Sequence, residues 1–160
     1  MPRNRYEDMT CGVAQALDQF GDGWTVLIIR DAFFGKTRFS EFQESLGIAK
    51  NILSDRLQKL VAHEILEKTR LDEPGERYAY RLTRKGRDLW VVLTAMRLWS
   101  DKWIFDHEDV PVVARERDSH REVAALLAVD TRGRPVEPGK LEWAPGPPGP
   151  RPSKKARPSR

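Results

Sequence analysis

A single cysteine, Cys11, stands among 160 residues, and that scarcity excludes both an intrachain disulfide and a zinc site built on cysteines. Histidine is sparse as well. His63, His107 and His120 lie far apart in the sequence, and the DHED run at 106–109 reads as surface rather than as a metal site. No apolar run is long enough to span a bilayer, and residues 1–8 lack the apolar stretch of a secretory leader, so the expectation is a cytoplasmic protein without membrane contact. Also missing are a phosphate loop, a nucleophile elbow, an HExxH helix and a Cys–His pair close in sequence. No enzyme and no cofactor are expected from such a chain.

The formal net charge of +4 points toward nucleic acid, but its distribution weakens the point. The last ten residues, RPSKKARPSR, hold five basic residues and no acidic one, which leaves residues 1–150 at −1. Basicity belongs to the tail, so any nucleic-acid argument has to come from local pattern.

The local pattern is ordered. Thr10 is placed to cap a first helix carrying Val13, Leu17 and Phe20, with Gly21 at its end. In DGWTVLIIRDAFFG, Trp24, Leu27 and Ile28 lie on one side and Val26, Ile29 and Phe33 on another; a helix apolar nearly all round is expected to be buried, with Gly35 as terminator. FSEFQESLG reads as a short third helix with Phe39, Phe42 and Leu46 inward and Gly47 as stop. A fourth helix runs from about Lys50 to Glu64 on a stripe of Leu53, Leu57, Leu60 and Val61. The period then changes. ILEKTRL, a turn on Pro74–Gly75, and RYAYRLT with Tyr78, Tyr80 and Leu82 on one face predict a β-hairpin. Thr83 is expected to cap one further helix, TRKGRDLWVVLTAMRLWSDKW. Between 106 and 143, EVAALLAV fits a strand or a short helix and TRGRP a turn. From Ala144 the chain is proline-rich, then basic, and is expected to be disordered.

Two helices joined by a glycine turn, followed at once by a hairpin, make a winged helix-turn-helix pattern, mainly α with a small β-hairpin. A major groove admits one helix, and side chains on its outer face reach base edges. With Leu57 directed inward, Asp55, Lys59 and Ile52 point nearly opposite, flanked by Asn51, Gln58 and Arg56. Ile52 is the anomaly: it suits a thymine methyl or packing against the third helix equally. Lys36, Thr37 and Arg38, ahead of the third helix, are placed to hold phosphates. The candidate DNA-contacting set is thus Lys36, Thr37, Arg38, Lys50, Asn51, Ser54, Asp55, Arg56 and Lys59, with Arg70 and Arg77 from the wing. Any single polar face is more often plain solvated surface; the ordered series carries the argument. The competing reading is a winged helix that binds protein instead of DNA.

Three stretches carry a family resemblance: "CGVAQALDQFGDGWTVLIIRDAFFGKTRFSEFQESL", "GIAKNILSDRLQKLVAHEILEKT" and "YAYRLTRKG". From Cys11 to Trp103 the chain resembles the HxlR-type winged helix-turn-helix regulators of bacteria. The resemblance implies a dimeric, DNA-binding transcriptional regulator with a double-stranded operator as partner, often acting on a neighbouring gene. Two departures stand out. Ala49 occupies a position before the recognition helix where the family usually has serine, which removes a hydroxyl able to cap the helix and touch phosphate. The wing tip is acidic at Asp72, Glu73 and Glu76, leaving Arg70 and Arg77 as its cations.

The organisation expected is a winged domain with dimerisation helix over 9–105, an extension over 106–143 and a basic tail over 144–160. Leu89, Val92, Met96, Trp99 and Trp103 recur at three- and four-residue steps on the last helix, more apolar surface than a small domain buries alone. They are the expected homodimer interface, the other account being that residues 106–143 fold back over this helix. Cys11, near a helix N-terminus, is a candidate redox sensor because the helix dipole favours thiolate; the plainer account is a buried small apolar residue. The resemblance implies an electrophile or small molecule as effector.

Overall fold

The computed structural model describes residues 6, 9, 11–72, 75, 77–105 and 110–146. Thr10, Glu73, Pro74, Glu76, the run at 106–109 and the basic tail lie outside the described residues. Two compact units divide between Trp90 and Val91. The first contains α1 (Gly12–Phe20), α2 (Gly23–Phe33), α3 (Phe39–Leu46), α4 (Lys50–Ala62), β1 (Leu66–Arg70), β2 (Tyr78–Leu82) and α5 (Arg84–Arg87). The second is built on α6 (Trp90–Trp103), followed by the two-residue strands β3 (Ala128–Val129) and β4 (Pro135–Val136) and a 3-10 turn at Pro138–Lys140. Among the described residues no helix is long and apolar enough to cross a membrane.

The core of the first unit is the meeting of α2, α3 and α4. Ile28, Ile29, Phe42, Leu53, Leu57, Leu60, Ile65 and Leu66 are each at most 1% exposed. Burial of such side chains is worth about 1.5–3 kcal/mol apiece and is the main force closing the helix-turn-helix. Gly47 ends α3 at φ 61, a left-handed conformation that glycine adopts without a Cβ penalty, and its N–H donates to the Gln43 carbonyl. Ile48, in the turn, is buried, and α4 starts two residues later.

The structure corrects the expectations for α2 and for the helix after Thr83, and decides burial where periodicity left it open. Val13 and Leu17 do not line the core: both are exposed, and the residue of α1 that is buried is Ala14. α2 is not buried all round. It buries Thr25, Ile28, Ile29 and Asp31, while Trp24 and Phe33 reach the surface. In the hairpin, Ala79 is the sealed residue of β2, and Tyr78 and Tyr80 stand on the other face under the Lys68 ammonium, 3.9 and 5.8 Å from their ring centres. The reason is a neighbour that periodicity does not reveal: β2 lies against α2 and α3, and the Ala79 side is the sealed one.

The single helix expected after Thr83 is two. Thr83 caps α5 by accepting from the Gly86 N–H at 3.0 Å, while its own hydroxyl donates to the Glu64 carbonyl at 2.6 Å. α5 ends after one turn, and Asp88 and Leu89 separate it from α6. Gly86 explains the pinning of that turn: a Cβ there would stand 2.1 Å from the Ile65 carbonyl oxygen.

In the second unit, EVAALLAV is extended and contributes only its last two residues to a strand; TRGRP is the expected turn, with Asp130 accepting from the Arg132 and Arg134 N–H groups. Part of this extension does fold back on α6. Arg97 donates to Asp101 at 2.6 Å and to the Val123 carbonyl at 2.8 Å, and Thr94 and Asp101 are buried. That covers one face. Val92, Met96, Trp99 and Trp103 remain exposed on α6, whereas Leu89, ahead of it, is half-buried.

Gly86→Ala forces the Ile65 strand entrance apart, and an overpacked site of this kind costs about 1–3 kcal/mol. Gly23→Ala, at the open first position of α2, is neutral or slightly stabilising. Urea unfolding of the two variants beside wild type measures the contrast; equal stabilities would remove the close-approach account of Gly86.

Candidate nucleic-acid interface

α4 seals its leucines and turns a polar surface outward. Lys50, Asn51, Gln58 and Lys59 are exposed; Ile52, Ser54, Asp55 and Arg56 are half-buried. The expected outer face is therefore present, but it is divided. Lys50 and Asn51 form its N-terminal end, the part of a recognition helix that ordinarily meets base edges. Ala49 precedes them with no side-chain cap, so the first N–H groups of α4 have no side-chain oxygen from the cap residue. Half-buried Ile52 leans toward the packing role over the methyl-reading one.

The middle of the face is occupied by ion pairs. Arg56 Nε lies 2.7 Å from Asp22 Oδ1 and Nη2 lies 3.2 Å from Oδ2, a bidentate pair across 34 residues of sequence. Its Nη1 also donates to Asp55, and Asp55 in turn receives the Lys59 ammonium at 2.8 Å. Arg56 holds the Asp22 carboxyl below the usual carboxylate range, and Asp22 raises the guanidinium further. The Lys59 ammonium, then Arg56, lowers Asp55 in the same way. Four side chains of zero summed charge thus sit where the sequence suggested free cations. Asp22 was not among the candidate residues. A clue was present: it stands immediately before α2 as a capping residue, and its Oδ1 accepts from the Thr25 N–H at 3.2 Å.

The approach to α3 is organised by a second carboxylate outside the candidate set. Glu41 Oε2 accepts from the Thr37 N–H at 2.7 Å and the Arg38 N–H at 2.8 Å, and these backbone bonds depress its pKa. Meanwhile the Tyr80 N–H donates to the Thr37 carbonyl at 2.8 Å, and Arg38 bridges Ala79. Thr37 and Arg38 are thereby laid alongside β2, while the Lys36 N–H donates to the Asp31 carbonyl at 3.1 Å. In the wing itself, Arg70 pairs with Tyr78 at the end of the ladder, Leu71 donates to the Arg77 carbonyl, and both arginines are exposed. Cys11 is exposed at the cap position of α1 and makes no side-chain cap bond.

Comparison with known proteins agrees with this arrangement. The HxlR-like helix-turn-helix family matches residues 19–108. An uncharacterized HTH-type transcriptional regulator of Mycobacterium tuberculosis, Rv3095, is 32% identical over 144 residues, covering 90% of each chain. The crystal structure of PA1607, a candidate transcription factor, superposes with a TM-score of 0.78 at 41% identity, covering 88% of this chain and 99% of the other. The reduced form of the transcriptional regulator YodB from Bacillus subtilis superposes with a TM-score of 0.52 at 34% identity, over 60% of this chain and 96% of YodB. The winged helices, the glycine turn and these matches, the longest of them running through the extension, place the chain in the HxlR-like family of helix-turn-helix transcriptional regulators.

Proposed function

We propose that this regulator binds double-stranded DNA sequence-specifically, as a homodimer on a palindromic operator, with α4 in the major groove. The observation that carries the reading is the exposed pair Lys50 and Asn51 at the N-terminal end of a helix whose other face is sealed by Leu53, Leu57 and Leu60. Asn matches adenine and Lys matches guanine at the major-groove edge. Ser54 and Lys59 flank the groove contact; Lys36, Thr37, Arg38, Arg70 and Arg77 serve the phosphates. The tail cations Arg151, Lys154, Lys155 and Arg157 add affinity without sequence preference.

The dimer is supported by α6. One side of that helix is covered by Val123 and Glu122 through Arg97, and the apolar run Val92, Met96, Trp99 and Trp103 lies outside this cover. Burying such a run against a second copy removes it from water and yields two recognition helices about one DNA turn, roughly 34 Å, apart. The effector proposed is an electrophile or oxidant acting on Cys11, whose thiol is exposed at the head of α1. An exposed thiol is open to modification, and one solved relative is a regulator described in its reduced form.

Sedimentation of a dilute sample gives a dimer; a stable monomer removes the argument for two half-sites. Selection of bound duplexes from a random library returns a palindrome, and Lys50→Ala weakens binding to it. Removing residues 151–160 lowers affinity and flattens its salt dependence, each lost phosphate contact taking about 0.9 from the slope, with the selected sequence unchanged. A changed sequence preference would reverse the roles given to helix and tail. Diamide alters duplex binding by wild type and leaves Cys11→Ser unaffected. Equal responses of the two proteins would exclude Cys11 as the sensor.

A further inference from the structure

Arg56 combines features that a base-reading arginine does not have. Three of its guanidinium nitrogens are engaged at once: Nε and Nη2 by Asp22, Nη1 by Asp55. Its side chain is 22% exposed although it lies on the polar side of α4. Reading guanine requires the same planar fork, and releasing it would leave Asp22 without its partner. Asp22 has a second duty. The oxygen that receives Arg56 Nε also accepts the Thr25 N–H, so one carboxylate both caps α2 and holds the middle of α4.

We infer that Arg56 is a positioning residue: its bidentate bond to Asp22 ties the recognition helix to the cap of α2 and sets the angle at which Lys50 and Asn51 meet the bases. The inference rests on the DNA-binding role of α4 proposed above. Hydrophobic contacts are non-directional: the leucine stripe selects which face of α4 is buried, and the fine tilt of the helix needs a directional bond to set it. A two-point guanidinium–carboxylate bond sets that tilt because both of its distances depend on orientation. The pairs of Asp22, Asp55, Arg56 and Lys59 are internally neutralised, so Arg56 releases few counterions when DNA binds.

The test uses the full chain, the duplex selected from a random library and, as reference, the unselected library. Asp22→Asn keeps a good capping side chain and removes the charge. Positioning predicts that Arg56→Gln and Asp22→Asn each lower the ratio of selected to unselected affinity by the same factor, about threefold. The double variant falls no further than either single one. Arg56→Lys falls with them, because an ammonium retains the charge and lacks the fork. The salt slope and the preferred sequence stay as in wild type. A role confined to stability would leave the ratio unmoved well below the unfolding temperature, and that outcome overturns the proposal. So does Arg56→Gln changing the preferred base at one position, the mark of direct reading, or lowering the salt slope by about one with rescue by Arg56→Lys, the mark of a phosphate contact. A wild type with no preference between the two duplexes overturns the DNA reading itself. The tie is then judged without DNA by a double-mutant cycle of Asp22→Asn and Arg56→Gln in urea unfolding, where zero coupling overturns it.

Discussion

Everything in the first unit depends on α4 having one apolar stripe and no more. Leu53, Leu57 and Leu60 are sealed against α2 and α3, and a helix with one such stripe has one rotational setting that keeps its polar residues in water. The turn at Gly47 delivers the chain to that setting, and buried Ile48 anchors the turn from below. Exposure of Lys50 and Asn51 follows from the burial of leucines two and more residues further along the helix. A packing constraint thus generates the surface on which the functional reading rests.

Carboxylates complete what packing begins. Asp22, Glu41 and Asp101 each accept from a group that would otherwise be loose: a recognition-helix guanidinium, the backbone leading into α3, and the arginine that meets the extension. Asp22 and Asp101 are each matched by a guanidinium, whereas Glu41 is held by neutral backbone N–H groups and keeps its charge. Residues 1–150 carry a formal charge of −1 and still present exposed cations on α4 and the wing. The whole-chain sum does not say which charges are paired, so it is a poor guide to the surface.

Helix existence and order were legible in the sequence because apolar spacing and glycine placement are local signals. Phe42, Leu53, Leu57 and Leu60 were read as core and are core. What periodicity left open or missed involves a neighbour remote in sequence. Val13 and Leu17 have the right spacing for burial, yet α1 meets its unit through Ala14. Ala79 is sealed and the tyrosines beside it are not, because β2 lies against α2 and α3. The break at Asp88 and Leu89 follows a glycine pressed against the Ile65 carbonyl, 21 residues earlier in the chain.

By itself the sequence determined most of the repertoire: which segments are helical, most of the turns, which hairpin follows, and the polar residue types of α4. These are consequences of period, caps and backbone freedom within a few residues. Only the tertiary structure decided which of those polar residues are free. Arg56 and Lys50 are both cations on the outward side of α4, six residues apart, and nothing in the sequence marks which of them is paired. One is bound on two sides by Asp22 and Asp55 and the other is exposed, because folding brings the cap of α2 beside the middle of α4. Pairing of charges is set by distance in space, and spacing along the chain does not encode it.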